Sequence, residues 1–154
     1  MSTPRTASEI RADCERLAEI FCTLQRNFLL NLSRELARGN VSFPQYFLLG
    51  FLTQQPFLTM SEIAEKMGHT TAAATGLVDR LESLAFARRT HARDDRRKIQ
   101  VQITTEGSAL VSRIRTDMVD NLTKFMDLLT AEEKRAWVRI YEKIFASIQT
   151  QTTK

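Results

Sequence analysis

The sequence predicts a mostly α-helical chain with one small β-hairpin, and three observations carry that reading. Apolar residues recur at steps of three and four over most of the chain. Two short helical patterns meet at a tight glycine-containing turn near Gly68. The run "IQVQIT" at 99–104 alternates strictly between apolar and polar, which is the period of a half-buried strand.

The first element places Ile10, Cys14, Leu17, Phe21, Leu24 and Phe28 in a single apolar seam. The helix runs to about Leu36 and ends at "RGN", 38–40. A helix of roughly 30 residues with one seam usually packs on another helix, often one from a partner chain. Cys14 and Cys22 lie eight residues apart on it. That is roughly 12 Å along a helix axis, beyond the ~7 Å Cα separation a disulfide tolerates. No intrachain bridge is expected, which fits a reducing compartment.

Ser42 is placed to cap a second helix, with Pro44 in its first turn. Phe47, Leu48, Phe51 and Leu52 form its apolar face, and Pro56 ends it. Ser61 is a candidate cap for a short third helix with Ile63, Ala64 and Met67 inside, stopped by Gly68. The fourth helix follows "HT" and buries Ala74, Leu77, Val78 and Leu81. "AFARRT" then reads as a strand, the octet "HARDDRRK" (91–98) as a loop, and "IQVQIT" as the return strand. A helix-turn-helix followed directly by such a hairpin is a winged helix, and the octet is the wing tip. Thr104 is placed to cap a helix bearing Leu110, Ile114, Met118, Leu122, Phe125 and Leu129. Thr130 and Glu133 form a capping box before a last helix with Trp137, Ile140, Ile144 and Ile148.

Charge is concentrated rather than spread. Residues 86–98 hold Arg88, Arg89, Arg93, Arg96, Arg97 and Lys98 against Asp94 and Asp95. That excess equals the net charge of the whole chain, +4. A local excess of this kind is an electrostatic footprint for a polyanion, the alternative being a solvated turn. The outer face of the fourth helix carries Ala72, Thr75, Gly76 and Asp79, with Thr70 and Thr71 at its start and Arg80 further along. Small side chains allow close approach to a major groove, where Ala and Thr methyls meet thymine methyls. Gly76 costs about 0.8–1 kcal/mol relative to alanine inside a helix, which close approach of a second body would offset. Arg96 or Arg97 at the hairpin tip suits a narrow minor groove. Asp95, two residues from Arg97, braces its guanidinium or caps the turn.

These features together resemble the MarR family of winged helix-turn-helix transcriptional regulators. The resemblance covers nearly the whole chain and is strongest over 58–107. "DRR" at 95–97 followed by a strand and "ITTEG" is similar to the family's D-x-R wing and L-T-x-x-G signature. "VDRLE" at 78–82 is similar to its recognition-helix ending, and "FPQYFLL" at 43–49 to its second helix. The resemblance implies a homodimer with three regions. Residues 1–40 and 107–154 supply dimerisation helices, and 41–106 form the DNA-binding domain. Cys14, Leu17, Phe21, Trp137, Ile140 and Ile144 fall at the implied interface. It also implies Arg97 as the minor-groove arginine, with Asp95 its partner, and Arg93, Arg96 and Lys98 beside it. Many members are repressors released by an aromatic effector. Tyr46, Phe47 and Phe51 are candidates for its pocket, the alternative being ordinary core. The "AAATG" run departs from the family's larger polar readers and shifts weight to the wing and to DNA shape. Phe43 stands where a peroxide-sensing branch carries tyrosine, which points away from redox sensing by Cys14 or Cys22.

Double-stranded DNA and a second copy are therefore the expected partners, with a repressor relieved by a small molecule as the expected function. The competing reading is a helical protein-interaction module that does not bind DNA. No phosphate-binding glycine loop, nucleophile motif or paired metal ligands occur in the sequence. No enzyme activity, cofactor or metal is expected, and a cytoplasmic location is expected from the polar N-terminus and the lack of a membrane-length apolar run.

Overall fold

The computed structural model describes residues 6–92 and 98–152. Its elements are α1 (Ala7–Arg38), α2 (Phe43–Gln54), β1 (Leu58–Thr59), α3 (Met60–Met67), α4 (Thr71–Ser83), β2 (Ala87–His91), β3 (Ile99–Ile103), α5 (Thr105–Met126) and α6 (Ala131–Thr152). The chain divides into two compact units, Met1–Ser112 and Arg113–Lys154, with the division falling inside α5.

The helices begin where side chains can satisfy their first free N–H groups. Thr6 caps α1 and Ser42 caps α2, each in a reciprocal box with the residue three positions on, Glu9 and Gln45. Gln45 is buried because its side chain turns back to accept the Ser42 N–H at 2.8 Å. The cap of α3 is Thr59, not Ser61. Its hydroxyl and N–H both engage the Glu62 carboxylate at 2.7 Å. Ser61 instead sits inside the first turn, where its side chain is exposed. Gly68 ends α3 in the left-handed region at φ 61°, a conformation that costs other L-residues roughly 1–2 kcal/mol.

The β structure has three strands where the sequence pattern indicated two. β1 is only two residues long and pairs with β3, giving the antiparallel order β1-β3-β2. Leu58 lies opposite Val101, and Val101 lies opposite Arg89 on the other side. This makes β3 the central strand and β2 an edge. The core of the first unit gathers around this small sheet. Leu48, Leu49 and Leu52 of α2, Leu58 of β1, Ile63 of α3, Val78 and Leu81 of α4 and Val101 of β3 are all essentially inaccessible. Side chains of this size each contribute about 1.5–3 kcal/mol on burial, so α3 and α4 are held on the sheet by one shared apolar cluster.

α1 contributes to that core only at its C-terminal end, through Leu32 and Leu36. Along the rest of it Ile10, Leu17, Ile20, Phe21, Leu24 and Phe28 are exposed. Cys14 and Cys22 are free thiols, and Cys14 is exposed on the seam. In the second unit α6 is capped by Thr130 with Glu133. It exposes Val138, Ile140, Tyr141, Ile144, Phe145 and Ile148, and Trp137 packs its ring 6.2 Å from that of Tyr141.

Candidate nucleic-acid interface

α3 and α4 meet through the Gly68 turn, and α4 starts on Thr70, whose hydroxyl accepts the Ala73 N–H at 3.3 Å. The buried side of α4 is Ala74, Val78 and Leu81. The side turned to solvent carries Thr71, Ala72, Gly76, Asp79 and Arg80, all exposed. Thr75 is half-buried and donates its hydroxyl to the Thr71 carbonyl at 2.8 Å. That leaves its methyl and the lone pairs of its oxygen for an outside contact. Among the described residues, nothing outside the helix's own backbone approaches within 4 Å of where a Gly76 Cβ would stand. The surface is therefore lean and open, with the helix N-terminus and its unpaired amides at one end. Such an end favours an anion.

The wing continues from α4 without slack. Ala85 takes φ 60°, a left-handed conformation usually left to glycine. The Phe86 N–H returns to the Leu81 carbonyl at 2.9 Å and the Ala85 N–H to the Glu82 carbonyl at 2.9 Å, an arrangement of the Schellman kind. Thr104 then closes the far end of β3. Its hydroxyl donates to the Ala85 carbonyl at 2.7 Å and accepts the Gly107 N–H at 3.1 Å. A Cβ on Gly107 would stand 2.2 Å from the Phe86 carbonyl oxygen, so only glycine fits there.

Arg89 on β2 reaches back to α4. Its Nη1 lies 2.7 Å from Asp79 Oδ1 and also contacts Glu82 Oε2, while its backbone N–H donates to Glu82 Oε1 at 2.7 Å. Burial works against its charge, but the hydrogen bonds to Asp79 and Glu82 outweigh that and raise its pKa above the ordinary arginine value. Arg88 is exposed and donates to Gln102 Oε1 at 3.2 Å across the hairpin. Lys98 is exposed at the start of the return strand, where its carbonyl accepts the Ala92 N–H at 2.9 Å. Arg93, Asp95, Arg96 and Arg97 lie outside the described residues.

The three aromatic candidates on α2 do not share one environment. Phe47, exposed, lines an open trough of about 620 Å³ with Phe43, Leu29, Leu30, Cys22 and Arg26. Tyr46 is half-buried, 6.1 Å from the Phe47 ring, and burial pushes its phenol pKa up. Phe51 lies under the Lys66 ammonium, 5.8 Å from its ring centre. Thr104 caps α5 as the sequence pattern indicated, through the Gly107 N–H, but the Arg89 clamp and the Thr104 tie to the Ala85 carbonyl were not among the sequence candidates. The clamp had a signal in Asp79 and Glu82, two carboxylates three apart at the end of a helix, just before an arginine-bearing strand.

A helix-turn-helix pair backed by a three-stranded sheet, with the paired strands β2 and β3 tied to its second helix through Arg89, defines a winged helix-turn-helix protein. The MarR family model matches residues 40–98, and the chain belongs to that family of transcriptional regulators. An HTH-type transcriptional regulator of Bacillus subtilis, YfiV, is 37% identical over 108 residues, 70% of this chain and 66% of that one. The crystal structure of B. subtilis YusO superposes with a TM-score of 0.76 at 28% identity, covering 92% of this chain and 99% of that one. The S. aureus MepR–DNA complex gives 0.72 at 22% identity, covering 85% and 98%, and shares the fold.

Proposed function

We propose that this chain is a homodimeric, sequence-specific DNA-binding regulator that represses transcription and is released by a small aromatic effector. The observation that carries the reading is the lean, unobstructed outer face of α4, set beside a hairpin that holds the whole of the chain's excess positive charge. In this reading α4 enters the major groove. The bare backbone at Gly76 and the methyl of Ala72 allow close approach, and Thr70 and Thr71 meet phosphate at the helix start. The wing follows the adjacent minor groove with Arg97, supported by Arg93, Arg96 and Lys98.

A second copy is supported by the exposed apolar rows on α1 and α6. Each large residue buried contributes about 1.5–3 kcal/mol, so either row can offset a large part of the roughly 4–15 kcal/mol association cost. Leu17, Phe21, Ile140 and Ile144 are the anchors of that interface in this reading. The trough beside Phe43 and Phe47 supports the effector part. Its volume, about 620 Å³, falls in the range of small-molecule sites, and its lining is apolar with Arg26 and Gln25 at hand for an acidic or phenolic group.

The test is fluorescence anisotropy with a duplex enriched from a random pool. The expected site is a pseudo-palindrome with half-sites about one helical turn apart, and log affinity should fall linearly with log salt. Arg97→Ala is expected to weaken binding roughly tenfold, about 1.4 kcal/mol. Wild-type affinity in that variant at the same salt would remove the wing from the reading.

A further inference from the structure

The geometry points to Arg89 as a positioning residue for duplex recognition. It clamps α4 and the wing into one reading head, and the inference rests on the DNA-binding reading above. The tie has three points. The Arg89 guanidinium meets Asp79 and Glu82, and the same Glu82 carboxylate accepts the Arg89 backbone N–H. β2 is an edge strand, so Glu82 also occupies an amide that would otherwise face away from the sheet. Arg89 cannot slide, because its residue pair across the ladder is Val101, which is fully buried.

The charges argue against a direct phosphate contact. Arg89 is a cation by sequence, but two carboxylates answer it, so the group as a whole is negative. A negative group beside a polyanion adds nothing to attraction. What it does supply is geometry. Asp79 lies three residues on from Gly76, on the solvent side of α4. Arg89 therefore both screens that carboxylate from the duplex and fixes the angle between helix and hairpin. Two prongs that enter neighbouring grooves of one duplex need that angle to be set before contact. A side chain about a quarter exposed holds it better than a fully solvated pair does.

Glu82→Gln separates geometry from charge. The substitution keeps the shape, removes a negative charge near DNA and turns one carboxylate oxygen into a donor that must face either the guanidinium or the Arg89 backbone N–H. Electrostatics alone would make this variant bind every duplex more tightly. The clamp requires the opposite for the enriched duplex: about tenfold weaker binding, while affinity for a scrambled duplex is no lower than wild type. Arg89→Lys keeps the cation but loses the planar guanidinium that holds one nitrogen, Nη1, against both Asp79 and Glu82, and is expected to lose the same tenfold. A direct phosphate contact would leave it near wild type. Thermal melting of both variants checks that each is folded at the assay temperature. Wild-type discrimination in either folded variant overturns the clamp alone. Failure of the wild-type protein to enrich any duplex overturns the DNA-binding reading and the clamp with it.

Discussion

Gly76→Ala separates the two reasons a helix can hold a glycine. Inside a helix alanine is favoured over glycine by about 0.8–1 kcal/mol, through lower backbone entropy loss. Among the described residues nothing outside the helix's own backbone lies within 4 Å of the new methyl, so none of them opposes that gain sterically. The variant should therefore be more stable by close to the full amount. With a urea slope of about 1–3 kcal/mol/M, the midpoint should rise by roughly 0.3–1 M at fixed protomer concentration. DNA binding should move the other way. If the bare backbone at Gly76 meets the groove, one methyl there is an overpacked contact of about 1–3 kcal/mol, or roughly tenfold or more in affinity. Urea unfolding and anisotropy titration of the same preparation read both signs. Higher stability with unchanged DNA affinity would refute close approach at this position. Lower stability would refute the open surface itself.

Other substitutions test the scaffold behind the site. Gly107→Ala would press a Cβ against the Phe86 carbonyl, which accepts the Thr104 N–H at 3.1 Å. A loss of about 2–5 kcal/mol in urea unfolding is expected from overpacking and a broken, partly buried hydrogen bond, and a loss under about 0.5 kcal/mol would contradict the packing. Ala85→Gly relieves a left-handed alanine and should stabilise by about 0.5–1 kcal/mol after the entropy cost of glycine, read as a rise in the urea midpoint. Acid should destabilise through the helix caps. Glu62 and Glu133 sit below the ordinary carboxylate value because each accepts the N–H, and then the hydroxyl, of its capping threonine. Their contribution is present above the unfolded value, about 4.3, and is lost as pH falls through the lower folded value. The urea midpoint should thus hold from pH 7 to about 5.5 and decline below about 4.5, less steeply in Thr59→Ala.

Much of the head was legible because its signals are local. Thr70 before a 3–4 apolar pattern, the 2-period of Ile99–Ile103 and the glycine at 68 each name their own element. β1 escaped because a two-residue strand has no period, and its pairing with β3 is a long-range choice made by Leu58 burial. Thr59 was readable as the α3 cap, since Thr-x-x-Glu at 59–62 is a capping box, but Ser61 competed as an equally good residue type. The left-handed turn at Ala85 gave no signal, because alanine is not the residue such a turn usually selects. Arg89 was legible as charge and not as partner: its meaning depends on Asp79 and Glu82 arriving beside it through the turn at 84–86. The contacts of Gly107 are likewise set by the fold, through the Phe86 carbonyl.

The most direct measurement of the central claim is enrichment of a random duplex pool by the purified protein, followed by sequencing. A two-fold related motif with half-sites about one helical turn apart, enriched more weakly when Arg97→Ala replaces the wild type, is the expected result. A pool that stays random for the wild-type protein at low salt would contradict it.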